Sequence, residues 1–314
     1  MKKVVVFGGG TGLSSLLKGL KLFPLDIVAV VSVADDGRST GKLRQEFNMP
    51  AVGDLRNVVV ALSETEPLVE QLFQYRFKTN GNLNDHSVGN IMLTALLNIN
   101  GSLTEAVSSF GKILNLKGRV LPLTEDLVTL VAHTDKGEKI IGEENITKSL
   151  KKIEKIEYLN KPKVIDAVVE EINNADLIVF SMGSLYTSII PHLLCEEIVE
   201  VLSKSEVKKL YVCNAMTEHG ETDGFSAGDH IKLMNKYSGT SLFDAIIVNT
   251  SKIDEQIKSR YKKLEKAEPV IVDEKELNKL GLEIIKDDII TVINDMVRHD
   301  SLKTGYLIFS YLMK

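Results

Sequence analysis

Tryptophan is absent from the 314-residue chain, and cysteine occurs only as Cys195 and Cys213. One cysteine pair in so long a chain excludes a disulfide framework, and its spacing fits no zinc motif. Both cysteines lie in apolar stretches and read as small core hydrophobes. Long apolar runs are also missing, and none approaches the roughly 18 residues of a membrane-crossing helix. The opening MKKVVVFGGG carries an apolar run too short for a signal peptide and ends in glycines instead of a cleavage site. These absences give the expectation of a soluble, cytoplasmic protein with no membrane span, in which the sequon Asn145-Ile146-Thr147 is a chance match. An excess of positive charge is lacking too. With 38 Lys and Arg against 43 Asp and Glu, the net charge is -5, which argues against nucleic acid as a partner.

What is present is a globular composition, 44% hydrophobic and too apolar for disorder, with ample chain for a core. Short Val/Ile-rich runs at Val4 to Phe7, Ile27 to Val33, Leu177 to Phe180, Leu210 to Val212 and Ala245 to Val248 suit parallel strands buried on both faces. Between them, Leu13 to Leu22, Leu55 to Leu62, Val88 to Leu97, Leu103 to Leu114, Val164 to Ile172 and Ile189 to Leu202 have helical periodicity. The alternation predicts a single α/β domain over residues 1–314: a Rossmann-like three-layer α/β/α fold with a mostly parallel sheet. Residues 118–158 differ. Arg119 to Leu123, Leu127 to His133 and Lys139 to Ile141 read as shorter strands, with a turn at Asp135-Lys136-Gly137, so this segment is expected to be a small β-rich insertion or an added hairpin. The Lys-rich stretch Lys258 to Lys266 reads as a solvated helix face.

Seven polar segments carry candidate chemistry. Gly8-Gly9-Gly10-Thr11-Gly12 follows the first strand and opens a helix, where free N–H groups and the dipole suit phosphate. The dinucleotide fingerprint G-x-G-x-x-G fails here, because the third glycine would be Ser15 or Leu13. Asp35-Asp36-Gly37-Arg38-Ser39-Thr40-Gly41-Lys42-Leu43-Arg44 imitates a Walker loop but lacks its first glycine and its Ser/Thr. Its paired carboxylates could hold a divalent cation or hydroxyl groups, with Arg38, Lys42 and Arg44 balancing phosphate; a flexible polar loop is the plainer alternative. Gly53-Asp54-Leu55-Arg56-Asn57 places Asp54 as the N-cap of a helix. In Asp85-His86-Ser87-Val88-Gly89-Asn90, either Asp85 or Ser87 can cap, while His86 and Asn90 share a face, His86 most simply as a structural hydrogen-bonder.

Gly183-Ser184-Leu185-Tyr186-Thr187 repeats the anion-site pattern after another strand. The run from Asn214 through Thr217, Glu221, Thr222 and Asp223 to Ser226 suits a hydroxyl-rich ligand or a plain connector. Arg298-His299-Asp300 precedes a C-terminal helix and could add a phosphate-binding cation. Loops after parallel strands converge on one sheet edge, which favours a phosphate-bearing ligand over a scaffold role.

The blocks FGGGTGLSSLL, VADDGRSTGKLR, GDLRN, HSVGN, GSLYTSIIP and NAMTEHGETDGFSAGDH resemble the signature of the gluconeogenesis factor family (YvcK type), which is related to the 2-phospho-L-lactate transferases (CofD type). They run from Phe7 to His230, and Arg298-His299-Asp300 extends the likeness, which is looser to the transferase branch. Departures are Ser181-Met182-Gly183-Ser184 where the family commonly has Gly-Pro-Gly-Ser, and Pro50-Ala51-Val52 where paired prolines are common; neither removes a charge. The resemblance to the first branch implies binding of UDP-sugars, notably UDP-N-acetylglucosamine, and a role in carbon metabolism, cell-wall synthesis and cell shape, with protein partners of wall synthesis. The transferase branch implies a guanine nucleotide, Mg²⁺ and transfer of a phospholactyl group to a deazaflavin. By matching motifs, Asp36 and Asp54 would lie near that metal and serve catalysis if the chain is an enzyme, and Arg298 would contact a UDP-sugar.

Two functions therefore compete: a UDP-sugar-binding regulator, possible as a homo-oligomer, and a Mg²⁺-dependent transferase. In the first, the ligand contacts are expected from Gly9, Gly10, Thr11, Gly12, Asp35, Arg38, Asn57, His86, Asn90, Gly183, Ser184, Tyr186, Thr187, Asn214, Thr217, Glu221, Thr222, Asp223 and Arg298. A nicotinamide dehydrogenase is disfavoured by the broken fingerprint. Ser301 and Thr304 are expected to be exposed hydroxyls open to phosphorylation, which would oppose diphosphate binding.

Overall fold

The computed structural model describes all residues from Met1 to Lys314. Strands β1 (Lys2–Gly8), β2 (Leu25–Val31) and β3 (Arg119–Pro122) form one half of a seven-stranded sheet. A smaller antiparallel sheet of β4 (Leu130–Thr134), β5 (Lys139–Ile141) and β6 (Ile153–Tyr158) follows in the order β5-β4-β6. The large sheet resumes with β7 (Leu177–Phe180), β8 (Lys209–Val212), β9 (Ala245–Asn249) and β10 (Glu283–Asp287), and β11 (Ile290–Ile293) and β12 (Met296–His299) make a separate hairpin.

The large sheet has the order β10-β9-β8-β7-β1-β2-β3, and every pairing in it is parallel. Val4, Val5, Val6 and Phe7 are all fully buried, as a central strand covered on both faces requires. Chain progression reverses between β1 and β7. Right-handed crossovers then place the helices of the two halves on opposite faces, giving the three layers expected. A crevice opens at this reversal, beyond the carboxyl ends of the strands.

The connecting helices are α1 (Gly10–Leu20), α2 (Arg38–Phe47), α3 (Gly53–Leu62), α4 (Pro67–Gln74), α5 (Val88–Asn100) and α6 (Leu103–Ile113) in the first half. α7 (Glu143–Ser149) lies in the small sheet, and α8 (Asp166–Asn173), α9 (Ile190–Leu193), α10 (Glu196–Lys204), α11 (Ala227–Ser238), α12 (Glu255–Leu264), α13 (Glu274–Lys279) and α14 (Ser301–Leu312) complete the chain. α1 packs against α3 and α14. Gly19 makes the second contact possible, because a Cβ there would stand 1.7 Å from the Ser301 carbonyl oxygen.

Four expectations need correction. The strand at Arg119 to Leu123 is not part of the insertion: β3 is the edge of the large sheet, paired with β2, and the insertion begins after it. Residues Ile189 to Leu202 do not form one helix, since α9 ends at Leu193 and Cys195 is the N-cap of α10. The charged segment after β2 is not a loop throughout, because α2 starts at Arg38. Thr304 is fully buried, with its hydroxyl donating to the Asp300 carbonyl, and Ser301 is half-buried with its hydroxyl 3.0 Å from that of Ser15. Neither is the freely exposed acceptor anticipated for phosphorylation. The Lys-rich segment does lie on a mostly exposed helix, α12, as expected.

Candidate functional site

The loops after β1 and β7 meet at the crevice. Gly12 is required by this approach, since a Cβ there would lie 2.1 Å from the Met182 carbonyl oxygen. α1 begins with neither a side-chain cap nor an acidic residue in its first turn. The Asp54 carboxylate lies beside Gly9 and Gly10, and the leading amides and positive dipole end of α1 remain for an anion.

These glycines line a cavity of about 390 Å³. Gly9, Gly10, Thr11 and Gly12 form one side, Gly183, Ser184, Asn214 and Thr217 another, and Arg298 and His299 arrive from β12. Met182, Met216, Tyr261 and Met296 add apolar wall. Arg119 pairs with Glu171 away from the cavity, and Arg260 pairs with Glu265, a carboxylate of the cavity's own wall; Arg298 stands exposed at the cavity with no carboxylate partner. The Asn214 side chain joins the two later loops, accepting from Gly183 N at 2.9 Å and donating to Gly183 O at 2.8 Å.

Deeper in the crevice, Asp35, Asp54, Glu143, Glu218 and Glu221 line a connecting space with Ser32, Ser184, Thr187 and Ser188. Burial, then the neighbouring charges of Asp35 and Glu143, raises Asp54 to about 7. Burial and Asp35 raise Glu143 to about 7, and burial and Glu221 raise Glu218 to about 8. Burial likewise raises Asp35, against a hydrogen bond from Gly37 N at 3.0 Å. No three acidic, imidazole or thiol side chains form a ready-made metal cage. Asp35 and Asp54 nevertheless fit Mg²⁺ as it is usually held, by one or two carboxylates plus ligand phosphates and water. A cation between them would relieve the repulsion that raises them.

Beyond this space lies a third cavity, of about 300 Å³, where Asp35, Arg38 and Asn57 are joined by Arg56, Arg76 and residues of α7. Asp35, Glu143 and Thr147 line both spaces, and Gly10, Ser184, Ser188 and Glu218 connect the carboxylates to the first cavity. The three spaces thus form one cleft.

Several expected site residues lie elsewhere. Asp36 turns away from Asp54, and its Oδ1 accepts from Glu144 N at 2.8 Å in the first turn of α7. Asp35, not Asp36, is the partner of Asp54. Asp54 itself is not an N-cap, because α3 starts at Gly53 and Asp54 sits within its first turn. His86 and Asn90 do face one point, but that point is the buried Ser39 hydroxyl, 3.1 Å from His86 Nδ1 and 3.2 Å from Asn90 Nδ2. Ser87 is the cap of α5.

The turn after β7 is no second anion site. Glu221 Oε2 accepts from Ser184 Oγ at 2.5 Å and from Tyr186 N at 3.4 Å, so the chain's own carboxylate fills that position. The buried Tyr186 hydroxyl donates to Ile153 O. Thr222 is buried, accepting from Glu218 N, and Asp223 accepts from Gly220 N, so both shape their own loop. Glu143, Glu218, Glu265, Arg56 and Arg76 are among the cleft residues outside the expected set. Of these five, Arg56 and Glu218 sit within the GDLRN and NAMTEHGETDGFSAGDH blocks, and the others carried no motif signal.

The family model described as 2-phospho-L-lactate transferase CofD matches residues 4–290. The chain belongs to the CofD family. The gluconeogenesis factor of Bacillus subtilis (strain 168) is 46% identical over 313 residues, covering 99% of this chain and 98% of that protein. The gluconeogenesis factor of Halalkalibacterium halodurans is 46% identical over 305 residues, covering 97% and 94%. A crystal structure of a UPF0052 family member from Bacillus halodurans superposes with a TM-score of 0.94 at 46% identity, covering 98% of this chain and 99% of that one. The CofD match ends before β12, so Arg298 lies outside it, whereas the full-length relatives span that residue. No helix is long and apolar enough to cross a membrane.

Proposed function

We propose that this chain binds a nucleotide-sugar of the UDP-N-acetylglucosamine type in the 390 Å³ cavity and acts as a regulator of central carbon metabolism and cell-wall synthesis. The observation that carries the reading is the unpaired Arg298 facing the uncapped N-terminus of α1 across one cavity. Guanidinium and backbone N–H groups together match a diphosphate. The mixed wall of methionines, Tyr261, Asn214 and Thr217 suits a base and a hydroxyl-rich sugar. The name gluconeogenesis factor, carried by relatives alike over nearly their whole length, supports the metabolic part. Regulation would follow from a ligand-dependent population shift presented to a protein partner.

The buried carboxylates favour a second reading, a Mg²⁺-dependent transferase acting on a nucleotide-linked donor. Asp35 and Asp54 would hold the ion, which supplies charge neutralisation at a diphosphate. Asp54 would also keep its place against Gly9 and Gly10 and so help to fix the phosphate loop.

Incubation with labelled UDP-N-acetylglucosamine, with and without Mg²⁺, separates the two. Saturable binding without product supports the regulator. Mg²⁺-dependent product formation that disappears in Asp35→Asn and Asp54→Asn supports the transferase, and no binding of any nucleotide rejects both.

A further inference from the structure

Of the seven arginines, Arg119 is ion-paired outside the cleft, Arg260 is paired with Glu265 at the wall of the nucleotide cavity, and Arg44 donates to three backbone carbonyls. Arg38, Arg56 and Arg76 instead converge on the 300 Å³ cavity without a carboxylate partner. Arg56 is the unusual one. It is only 5% exposed, and its Nε has no hydrogen-bond partner. Burying a charged, unpaired guanidinium is costly, and a buried polar group without a partner calls for one.

The fold makes room for it. A Cβ on Gly89 would come within 2.7 Å of Arg56 Cδ, so that glycine accommodates the arginine stem. The nearby Asp35 is already engaged by Gly37 N, and Asn57, Ser39 and Thr40 add neutral hydrogen-bonding groups to the wall. Arg76 is half-buried and spends one N–H group on the Asp85 carbonyl at 2.8 Å. The remaining cation of the lining, Lys148, is paired with Glu144.

None of the 13 residues around this cavity is hydrophobic. Such a wall offers no apolar burial to a ligand and suits a small, polar, multiply charged group. We infer that this end of the cleft is a binding site for a phosphate monoester on a small polar carrier, held by Arg56 and Arg76 with Arg38 at the mouth. Guanidinium groups suit such a dianion because they offer paired donors in one plane. The site is separate from the nucleotide-sugar cavity. The carboxylates Asp35, Asp54 and Glu143 stand between the two, so two anionic ligands would approach them from opposite ends.

The test is calorimetric titration of the full chain with inorganic phosphate and with glycerol 3-phosphate, glycerol being the neutral control. Saturable binding of both phosphates and none of glycerol is expected. Arg56→Gln and Arg76→Gln should each weaken it at least tenfold, and Arg298→Ala should change it less than twofold. Arg76→Gln, on a half-buried side chain, and Arg56→Lys, which keeps the charge, guard against a folding defect in Arg56→Gln; each is checked by circular dichroism.

Absence of saturable phosphate binding would overturn the inference, as would unchanged affinity in Arg76→Gln. Equal losses in Arg298→Ala and Arg76→Gln would also overturn it, by assigning the phosphate to the nucleotide cavity. UDP-N-acetylglucosamine is titrated in parallel. If it fails to bind while phosphate binding keeps this mutational pattern, the nucleotide-sugar reading falls and the phosphate site stands.

Discussion

Asn214 holds Gly183 by both of its backbone groups, with hydrogen bonds of 2.9 and 2.8 Å. The residues follow β8 and β7, so this one side chain sets the spacing of two loops that border the nucleotide cavity. Asn214→Ala removes both bonds and leaves partly buried amide and carbonyl groups unpaired, a cost of about 1–3 kcal/mol. Asn214→Asp keeps the acceptor but turns a carboxylate oxygen toward the Gly183 carbonyl. Both variants should bind UDP-N-acetylglucosamine at least tenfold more weakly, with Asp the worse of the two. Fluorescence or calorimetric titration reads the difference, and equal affinity of wild type and Asn214→Asp would contradict the clasp.

The contact of α1 with α14 couples stability to the same cavity. Gly19 faces the Ser301 carbonyl, and Gly305 faces the backbone of Gly19 and Leu20 in return. Adding a methyl at Gly19 must push the helices apart, because the obstructing atoms are backbone. Overpacking of this kind costs about 1–3 kcal/mol or more. Gly19→Ala is expected to lower Tm by several degrees. α14 begins three residues after Arg298, so its displacement should also weaken nucleotide-sugar binding. A melt and a titration on the same sample check both, and a drop in Tm with full affinity would separate the packing from the site.

How far the sequence revealed this arrangement varied with the kind of signal. Val4 to Phe7 announced a central strand because burial on both faces leaves an unbroken apolar run. Arg119 to Leu123 was harder: a four-residue edge strand has the same local pattern as a strand of a small insertion, and only its pairing with β2 distinguishes them. α2 was hidden by its charges and by Gly37 and Gly41, the latter needed where a Cβ would lie 2.0 Å from the Asp36 carbonyl oxygen. Motif spacing identified the loops at Gly9 and Gly183 correctly as neighbours. It could not choose between Asp35 and Asp36, because that choice is made by Glu144, 108 residues away, whose N–H takes Asp36 out of the cleft. Arg76 and Glu143 carried no local signal, since their role arises from tertiary convergence alone.

Arg298 offers the most direct test of the nucleotide-sugar cavity. It is exposed, unpaired and carried on a hairpin strand, so removing it should leave the core intact. Charge-assisted hydrogen bonds to phosphate are worth about 1.5–3 kcal/mol, which corresponds to a tenfold to more than hundredfold loss of affinity. Arg298→Ala should show that loss with an unchanged Tm. Arg298→Lys should recover only part of it, because an ammonium group cannot engage two oxygens in one plane. An unchanged dissociation constant in Arg298→Ala would remove the residue from the site.

His192 makes stability depend on pH in a direction that can be isolated. Its ring is fully buried against Phe7, Nε2–H donates to the Gly8 carbonyl at 3.1 Å, and Nδ1 has no partner. Burial lowers its pKa from the usual 6.5 to about 4, with the Gly8 carbonyl opposing only in part. Above pH 6.5 the ring is neutral whether folded or unfolded, and its contribution is constant. Between 6.5 and 4 the unfolded chain binds a proton that the folded chain refuses, so stability falls as pH falls, by about 1.4 kcal/mol per unit. The buried acids act oppositely: Asp54 and Glu143, raised to about 7, hold protons in the folded state that the unfolded chain releases, so they stabilise it as pH falls toward 4. The net profile mixes these effects, and the informative quantity is the difference between two proteins. His192→Gln can keep the donor to Gly8 and cannot titrate. Denaturant unfolding at pH 7.0 and pH 5.0 should therefore show wild type losing about 2 kcal/mol more, or gaining that much less, than His192→Gln over the interval. Parallel responses of the two proteins would mean that His192 titrates alike in the folded and unfolded chains.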